Sequence, residues 1–185
     1  MFGALLPVGV GCFYPPKKKG EEAAMRIREC LDPTRIHVGV ELVDKDAVLR
    51  FVAGKAAAYL KGDEGLLLQG FREREMSFTT GIGLGIALPH TTSVSCKKTT
   101  LFLARLKHPI DFEAIDELPV DLVLALVIPE SRPSEHVQIL ARTARLCKER
   151  AFPQALRQAG DTSLIWETVN TLEKEAEVAW YGEGG

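Results

Sequence analysis

The chain has 185 residues and a mass of 20.3 kDa, with 46% hydrophobic and 26% charged residues. This composition is typical of a globular protein with its own core and excludes an intrinsically disordered chain. The 23 basic and 25 acidic residues give a formal net charge of −2, which argues against a basic surface for nucleic acid. No apolar run reaches the roughly 18 residues that a membrane-spanning helix needs.

The first 24 residues differ from the rest of the chain. The apolar stretch 2–10 follows no basic residue and contains Pro7, so it does not resemble a secretory signal. Residues 15–19, PPKKK, predict a solvated linker. We therefore interpret residues 1–24 as a flexible N-terminal extension or a non-native upstream segment, with an N-terminal anchor or docking arm as the alternative. Residues 181–185 are expected to form a flexible tail.

The four cysteines are Cys12, Cys30, Cys96 and Cys147. They form no C-x-x-C pair and their spacing is irregular, so a zinc ribbon or thioredoxin motif is absent. Isolated cysteines in a domain of this size are typical of packing residues in a reduced compartment. We therefore expect a cytoplasmic protein.

Helical patterns come first along the body of the chain. Apolar side chains recur with helical spacing in residues 45–61, where Asp44 or Asp46 can cap the start and Gly62 can end the helix. Residues 64–75 predict a second helix, with three apolar side chains on one side and a charged end.

Strands and further helices follow the glycine-rich stretch 80–90. Residues 99–106 and 120–128 predict strands, and the second is an almost continuous apolar run, typical of a strand covered on both faces. Helices are predicted for residues 134–149 with Ser134 as N-cap, for residues 153–158, and from Asp161 to about Val178. This order predicts an α/β fold: a single-domain sandwich with a mixed β-sheet flanked by helices on both faces.

Three side chains are candidates for chemistry on a phosphate. His90 follows Pro89 at the end of an apolar segment, where a sheet presents functional groups. His136 lies in the first turn of the predicted helix 134–149, where free N–H groups favour an anion. The Arg74 guanidinium can hold a phosphate at two points. Together they predict a site at which a neutral imidazole accepts a phosphoryl group.

Each of these features also has an interpretation without chemistry. The glycines in 81–85 do not match G-x-G-x-x-G and lead to a proline, so alone they predict a tight connector. Residues 72–75 alternate in charge, which is typical of a solvated helix end. The aspartates in 111–121 lie beside prolines and suit turns and strand starts better than a metal site.

The string RE-x4-TGIG-x-GIALPH at residues 74–90 is more specific than its parts. It closely resembles the active-site segment of the fructose/mannitol-type (type 2) enzyme IIA domain of the bacterial phosphotransferase system, a group that includes nitrogen-regulatory enzyme IIA. The resemblance continues through residues 109–123 and 127–130 to His136 and covers residues 26–172. Residues 77–79, SFT, depart from the small connector usual in this family, which leaves the choice of partner open.

The resemblance implies a phosphocarrier domain, over residues 25–180 here, that needs no metal or other cofactor. It implies that His90 receives a phosphoryl group from phospho-HPr, that His136 supports the phosphorylated ring, and that Arg74 holds the phosphate. We expect further phosphate support around the glycine-rich backbone, from Thr80, Gly81, Gly83 and Gly85. We expect an apolar partner surface around His90, from Phe78, Leu84 and Ile86.

Several functions remain open on this basis. The chain carries no fused IIB or IIC segment, which favours a regulatory, nitrogen-type phosphocarrier over one that feeds a IIB domain in sugar uptake. The predicted partners are HPr or its nitrogen-branch counterpart and a downstream IIB domain or regulated protein, with no nucleic acid and no membrane span. A metal-dependent hydrolase using His90 and His136 lacks a ligand pair such as H-E-x-x-H. A phosphorylation-incompetent interaction module of the same fold is the last alternative.

Overall fold

The computed structural model describes residues 25–182, apart from the side chains of residues 133–135. The predicted N-terminal extension and residues 183–185 of the predicted tail lie outside the described residues. The strands are β1 (Ile36–Val40), β2 (Gly81–Gly83), β3 (Ile86–Ala87), β4 (His90–Ser93), β5 (Thr100–Ile110) and β6 (Val120–Pro129). The helices are α1 (Ile27–Cys30), α2 (Lys45–Leu60), α3 (Glu64–Ser77), α4 (Pro133–Lys148), α5 (Ala151–Gln158) and α6 (Thr162–Tyr181).

The six strands form one mixed sheet in the order β1-β5-β6-β3-β2, with β4 also paired to β6. β6 is antiparallel to β5 and parallel to β3 and β4. Its alternate side chains enter two separate cores, for example Leu124 on one face and Val123 on the other. Helices α1, α4, α5 and α6 pack on the first face, while α2 and α3 pack on the second. The predicted sandwich, with helices on both faces, is confirmed.

Aspartate side chains cap the starts of three helices. Asp44, Asp63 and Asp161 accept backbone hydrogen bonds at the starts of α2, α3 and α6. The predicted N-cap at Ser134 is wrong, because α4 begins one residue earlier, at a proline whose fixed φ suits the first helical position. The end of α2 also differs from expectation, since Lys61 adopts the left-handed conformation predicted for a glycine.

Strands β3 and β4 both pair with β6, and the interruption between them determines where His90 lies. Ala87 of β3 pairs with Val123 and His90 of β4 pairs with Leu126, and the intervening residues carry no ladder pair. Because paired residues point to the same face, the His90 side chain shares the face of Leu126, which α4 covers. The next residue, Thr91, points to the opposite face, toward α3. Residues of α4 and α3 can therefore converge at the start of β4.

A buried charge cluster ties α1 and α4 to α6. Glu173 of α6 is fully buried and accepts hydrogen bonds from the Ile27 and Arg28 backbone N–H groups and from the Arg142 guanidinium. Glu177, one turn later, accepts from the same two arginines. Burial raises the pKa of Glu177, but hydrogen bonds from Arg26 and Arg28 and the charge of Arg142 outweigh it and lower that pKa to about 2. Sequence reasoning did not predict this cluster.

Candidate active site

His90 is held at both ring nitrogens. Its Nδ1 lies 2.9 Å from the Leu88 carbonyl oxygen, and its Nε2 lies 2.9 Å from Nε of Arg74. A carbonyl oxygen only accepts and a guanidinium only donates, so these partners assign the proton to Nδ1 and the lone pair to Nε2. His90 as a residue is 8% exposed. Nε2 is therefore the atom of His90 that can act as a nucleophile.

The surroundings keep both imidazoles of the site neutral at pH 7. Burial lowers the pKa of His90 to about 4; its Leu88 hydrogen bond raises the pKa, whereas Arg74 and His136 lower it further. The pKa of His136 is also lowered, mainly by burial and then by the charge of Arg74. A neutral imidazole keeps a free lone pair, so His90 is prepared for nucleophilic attack over the whole physiological range.

Arg74 reaches His90 from the last turn of α3. Its Nη1 donates to the Phe78 carbonyl oxygen at 2.7 Å, so the guanidinium is fixed on two sides. Gly70 lies one turn earlier on the same face of α3 and packs against Thr91 of β4. A Cβ at Gly70 would overlap Thr91 Oγ1 and lie 3.3 Å from Thr91 Cβ. The glycine therefore permits the close approach of α3 to β4 that brings Arg74 to His90.

His136 completes the group from the first turns of α4. Its ring stands edge-on to the ring of His90, with 5.3 Å between the centroids and 81° between the planes. The structure thus brings together all three side chains that the sequence marked for chemistry: His90 from β4, Arg74 from α3 and His136 from α4.

Two cavities of about 540 and 550 Å³ flank these three side chains. The first cavity, the more polar of the two, lies between α3 and the end of β4 and is lined by Gln69, Glu73, Ser93 and Glu130 among others. The apolar cavity lies on the other side, and its lining includes Phe78, Ile82, Ile115, Val137 and Leu140. Three of these apolar side chains are more than half exposed: Phe78, Ile115 and Val137. A partner that reaches His90 would meet this apolar rim.

Comparison with known proteins agrees with this geometry. The family model described as "Phosphoenolpyruvate-dependent sugar phosphotransferase system, EIIA 2" matches residues 29–171. The chain belongs to this EIIA 2 family. The resemblance predicted from residues 74–90 is thereby confirmed.

Relatives of this EIIA 2 protein include regulatory and sugar-specific members. The nitrogen regulatory protein of Bradyrhizobium diazoefficiens is 34% identical over 145 residues, which cover 78% of this chain and 95% of the relative. The fructose-specific EIIA component of Haloferax volcanii is 36% identical over 107 residues, 58% of this chain and 70% of that protein. The crystal structure of nitrogen regulatory protein IIA-Ntr from Neisseria meningitidis matches with a TM-score of 0.73 at 23% identity. That match covers 77% of this chain and 98% of the other, and it shows the common fold.

The glycine-rich stretch of this EIIA 2 chain is structural. Leu84 and Gly85 both have positive φ, 58° and 75°, and form the two-residue turn of the β2–β3 hairpin. A Cβ at Gly83 would meet the Asp116 carboxylate, and one at Gly85 would meet Arg157 and Asp121. The turn therefore needs glycine at both positions for steric reasons, and the phosphate support expected from the Gly83 and Gly85 backbone stays a prediction.

The phosphate support expected from Thr80 and Gly81 also stays a prediction, and their donors have partners within the chain. The Thr80 N–H and hydroxyl both donate to Glu75 Oε2, at 3.0 and 2.5 Å. The Gly81 N–H donates to Thr79 Oγ1 at 3.1 Å. Both residues line the apolar cavity.

The predicted partner surface needs one correction. Ile86 is 1% exposed and packs in the core beside β6, because β3 lies inside the sheet. Leu84 is 43% exposed at the tip of the β2–β3 turn, and Phe78 is 66% exposed at the rim of the apolar cavity. Sequence reasoning missed Ile115 and Val137 on this rim, since neither belongs to the motif.

Glu75 is the functional candidate that sequence reasoning overlooked. It was assigned to a solvated helix end, yet it is 8% exposed and its Oε1 lies 3.2 Å from Lys45 Nζ. The sequence itself could have indicated that Glu75 is buried. Leu67, Phe71 and Glu75 follow one another at intervals of four residues and so share the buried face of α3.

Among the described side chains, no group of three or more His, Cys, Asp and Glu could hold a metal ion. None of the described helices is long and apolar enough to cross a membrane. Asp111 and Asp116 accept backbone hydrogen bonds within turns, as predicted.

Proposed function

We propose that this EIIA 2 protein is a phosphocarrier whose His90 Nε2 accepts a phosphoryl group from the phosphohistidine of HPr or a nitrogen-branch counterpart. One observation carries the proposal: Nε2 is an unprotonated imidazole nitrogen in a buried ring that Leu88 and Arg74 orient. We assign this role to residues 25–180 and to the cytoplasm, where the phosphate donor is made.

The transfer exchanges one P–N bond for another. The Nε2 lone pair of His90 forms the new bond to phosphorus while the bond to the donor imidazole breaks, and the donor nitrogen leaves with that electron pair. A donor ring that is protonated on its other nitrogen leaves as a neutral imidazole. His90 keeps its Nδ1 proton on the Leu88 carbonyl oxygen, so no proton has to move. The positive charge of the phosphorylated ring then offsets part of the phosphoryl charge.

Arg74 has to change partner during this step. At rest its Nε donates to the lone pair that becomes the P–N bond, so it must turn from Nε2 to a phosphoryl oxygen. Its hydrogen bond to the Phe78 carbonyl oxygen keeps the guanidinium beside the ring meanwhile. A planar, permanently charged donor group suits this task because it can contact two phosphoryl oxygens at once.

His136 supports the phosphorylated state from the other side. Its edge-on ring lies close enough to His90 for a ring N–H to donate to a phosphoryl oxygen. Because burial keeps His136 neutral before transfer, it adds no positive charge that would oppose the approach of the protonated donor ring. Positioning and charge stabilisation account for most of the catalysis in such transfers.

The rim of the apolar cavity is the proposed docking surface for the donor. Phe78, Ile115 and Val137 expose apolar side chains beside the histidine pair. Transient phosphotransfer requires a partner to leave quickly, which a small apolar contact allows.

Two downstream roles are consistent with the site. The identity to the nitrogen regulatory protein of Bradyrhizobium diazoefficiens, over 95% of that relative, favours a regulatory branch in which the phosphorylation state controls a partner protein. The identity to the fructose-specific component of Haloferax volcanii supports the alternative, in which the phosphoryl group passes to a IIB domain in sugar uptake.

Intact mass tests the proposal directly. The protein is incubated with phosphoenolpyruvate, enzyme I and HPr, and in parallel with the nitrogen-branch counterparts of these proteins. We expect one acid-labile phosphoryl group on the wild type and none on His90→Ala. An unmodified wild type with both sets of partners would leave the non-phosphorylated interaction module as the better hypothesis.

A further inference from the structure

Hydrogen bonds connect Glu75 to both sides of His90 in a closed ring. Glu75 Oε2 accepts from the Thr80 N–H and hydroxyl, and the Thr80 carbonyl oxygen accepts from the Leu88 N–H at 2.9 Å. The Leu88 carbonyl oxygen accepts from His90 Nδ1, and His90 Nε2 accepts from Arg74. Arg74 and Glu75 are neighbours in α3, so the peptide bond between them closes the ring.

We propose that Glu75 is a positioning residue that holds His90 in its Nδ1-protonated tautomer and holds Arg74 against Nε2. The proposal rests on the proposed function for its catalytic consequence, but the tautomer can be measured without any phosphotransfer. Glu75 touches neither ring of the histidine pair in these hydrogen bonds, and its effect passes through Thr80 and Leu88.

The burial of Glu75 makes the anchor rigid. Its side chain is 6% exposed and its Oε1 lies 3.2 Å from Lys45 Nζ, whose charge offsets that of the carboxylate. Lys45 is paired on its outer side with Glu113, whose side chain is 78% exposed, at 2.6 Å. A buried carboxylate with these partners cannot turn to solvent without leaving the Thr80 donors unsatisfied, which is costly.

The anchor matters because α3 and β2 are otherwise joined only by a short connector. Residues 78–80 link the two elements; Phe78 is 66% exposed, and the buried Thr80 is the connector residue that Glu75 holds. Without Glu75, the start of β2 can shift relative to α3, and Leu88 shifts with it through its hydrogen bond to Thr80. The Leu88 carbonyl oxygen would then no longer point at Nδ1, and the other tautomer would become accessible.

The test compares Glu75→Gln with Glu113→Gln. Glutamine at position 75 keeps the shape but places an amide N–H₂ beside either Lys45 Nζ or the Thr80 donors. Glutamine at position 113 removes the other carboxylate paired with Lys45 and leaves the ring intact, so it is the matched control. The ¹⁵N imidazole spectrum of the full chain reports the tautomer of His90, assigned with His90→Ala.

We expect a single Nδ1-protonated tautomer in the wild type and in Glu113→Gln, and a mixture of tautomers in Glu75→Gln. The rate of phosphorylation of Glu75→Gln should fall by about ten- to a hundredfold, the loss typical of a misplaced reacting group. Thr80→Val, which removes one of the two donors to Glu75, should change the tautomer ratio in the same direction by a smaller amount. It also keeps the test valid if Glu75→Gln does not fold, which circular dichroism would show.

Unchanged His90 spectra in folded Glu75→Gln and Thr80→Val would overturn the proposal, and so would an equal change in Glu113→Gln. If the tautomer changes as expected but the wild type accepts no phosphoryl group, the positioning role of Glu75 is retained and the proposed function is what fails.

Discussion

The substitution Gly70→Ala adds a single methyl group, and we expect it to slow phosphorylation strongly while lowering stability only slightly. In Gly70→Ala, the new Cβ overlaps Thr91 Oγ1 and lies 3.3 Å from Thr91 Cβ, so α3 must move away from β4 or Thr91 must rotate. Overpacking of this kind costs about 1–3 kcal/mol, whereas alanine gains about 1 kcal/mol over glycine inside a helix. We therefore expect the free energy of unfolding to fall by only about 0–2 kcal/mol. Arg74 lies one turn further along the same face, so its displacement from His90 Nε2 should slow phosphorylation by about a hundredfold.

The assay for Gly70→Ala is the time course of phosphorylation by intact mass, with urea unfolding of the same samples. Thr91→Ala provides the rescue, because the double variant removes the hydroxyl and methyl groups that the new Cβ meets. We expect the double variant to recover most of the rate that Gly70→Ala loses. Equal rates for wild type and Gly70→Ala would refute the argument, and so would a slow double variant, since the clash with Thr91 would then not be the cause.

Three further predictions concern the histidine pair and the buried charge cluster. Because His90 has a pKa of about 4 in the folded chain against 6.5 unfolded, its neutral form stabilises the fold above pH 6.5. That contribution is lost as the pH falls from 6.5 through 4, by about 3 kcal/mol in total. Urea unfolding should show a shallower pH dependence in His90→Gln, and an identical dependence would contradict the shifted pKa. Glu173→Gln should lower the free energy of unfolding by about 3–5 kcal/mol, since it removes the fully buried carboxylate that pairs with Arg142, whereas the exposed Glu175→Gln should change it little. Arg74→Ala and His136→Ala should each slow phosphorylation while His90 remains the modified residue, which peptide mapping checks; undiminished rates in both would exclude their assigned roles.

Much of the architecture follows from local patterns in the chain. Helices α2, α4 and α6 were predicted within a few residues because their apolar periodicity is long, and strand β6 because it is an almost continuous apolar run. Strand β1 was missed. Its five residues include Gly39 at a φ of 70°, and the register with β5 shifts between Val38 and Val40, so the alternation typical of a strand is broken. Strand β4 was missed because only its pairing with β6, more than thirty residues away, makes it a strand.

The motif at residues 74–90 was sufficient to select His90 and Arg74 as candidates, and its continuation selected His136. Imidazole and guanidinium groups are suited to a phosphoryl group by their own chemistry, so the residue types could be recognised from the sequence. Which nitrogen of His90 carries the lone pair was decided by the tertiary structure, since the contacts of Leu88 and Arg74 with the ring are what assign it to Nε2. The surroundings of other motif members were likewise decided by the tertiary structure. Polar donors and apolar side chains in the motif have the same local pattern whether they face solvent, the core or a buried carboxylate. Thr80 donates to the buried Glu75 carboxylate, and Ile86 is buried because β3 pairs with β6, and no local pattern encodes either contact.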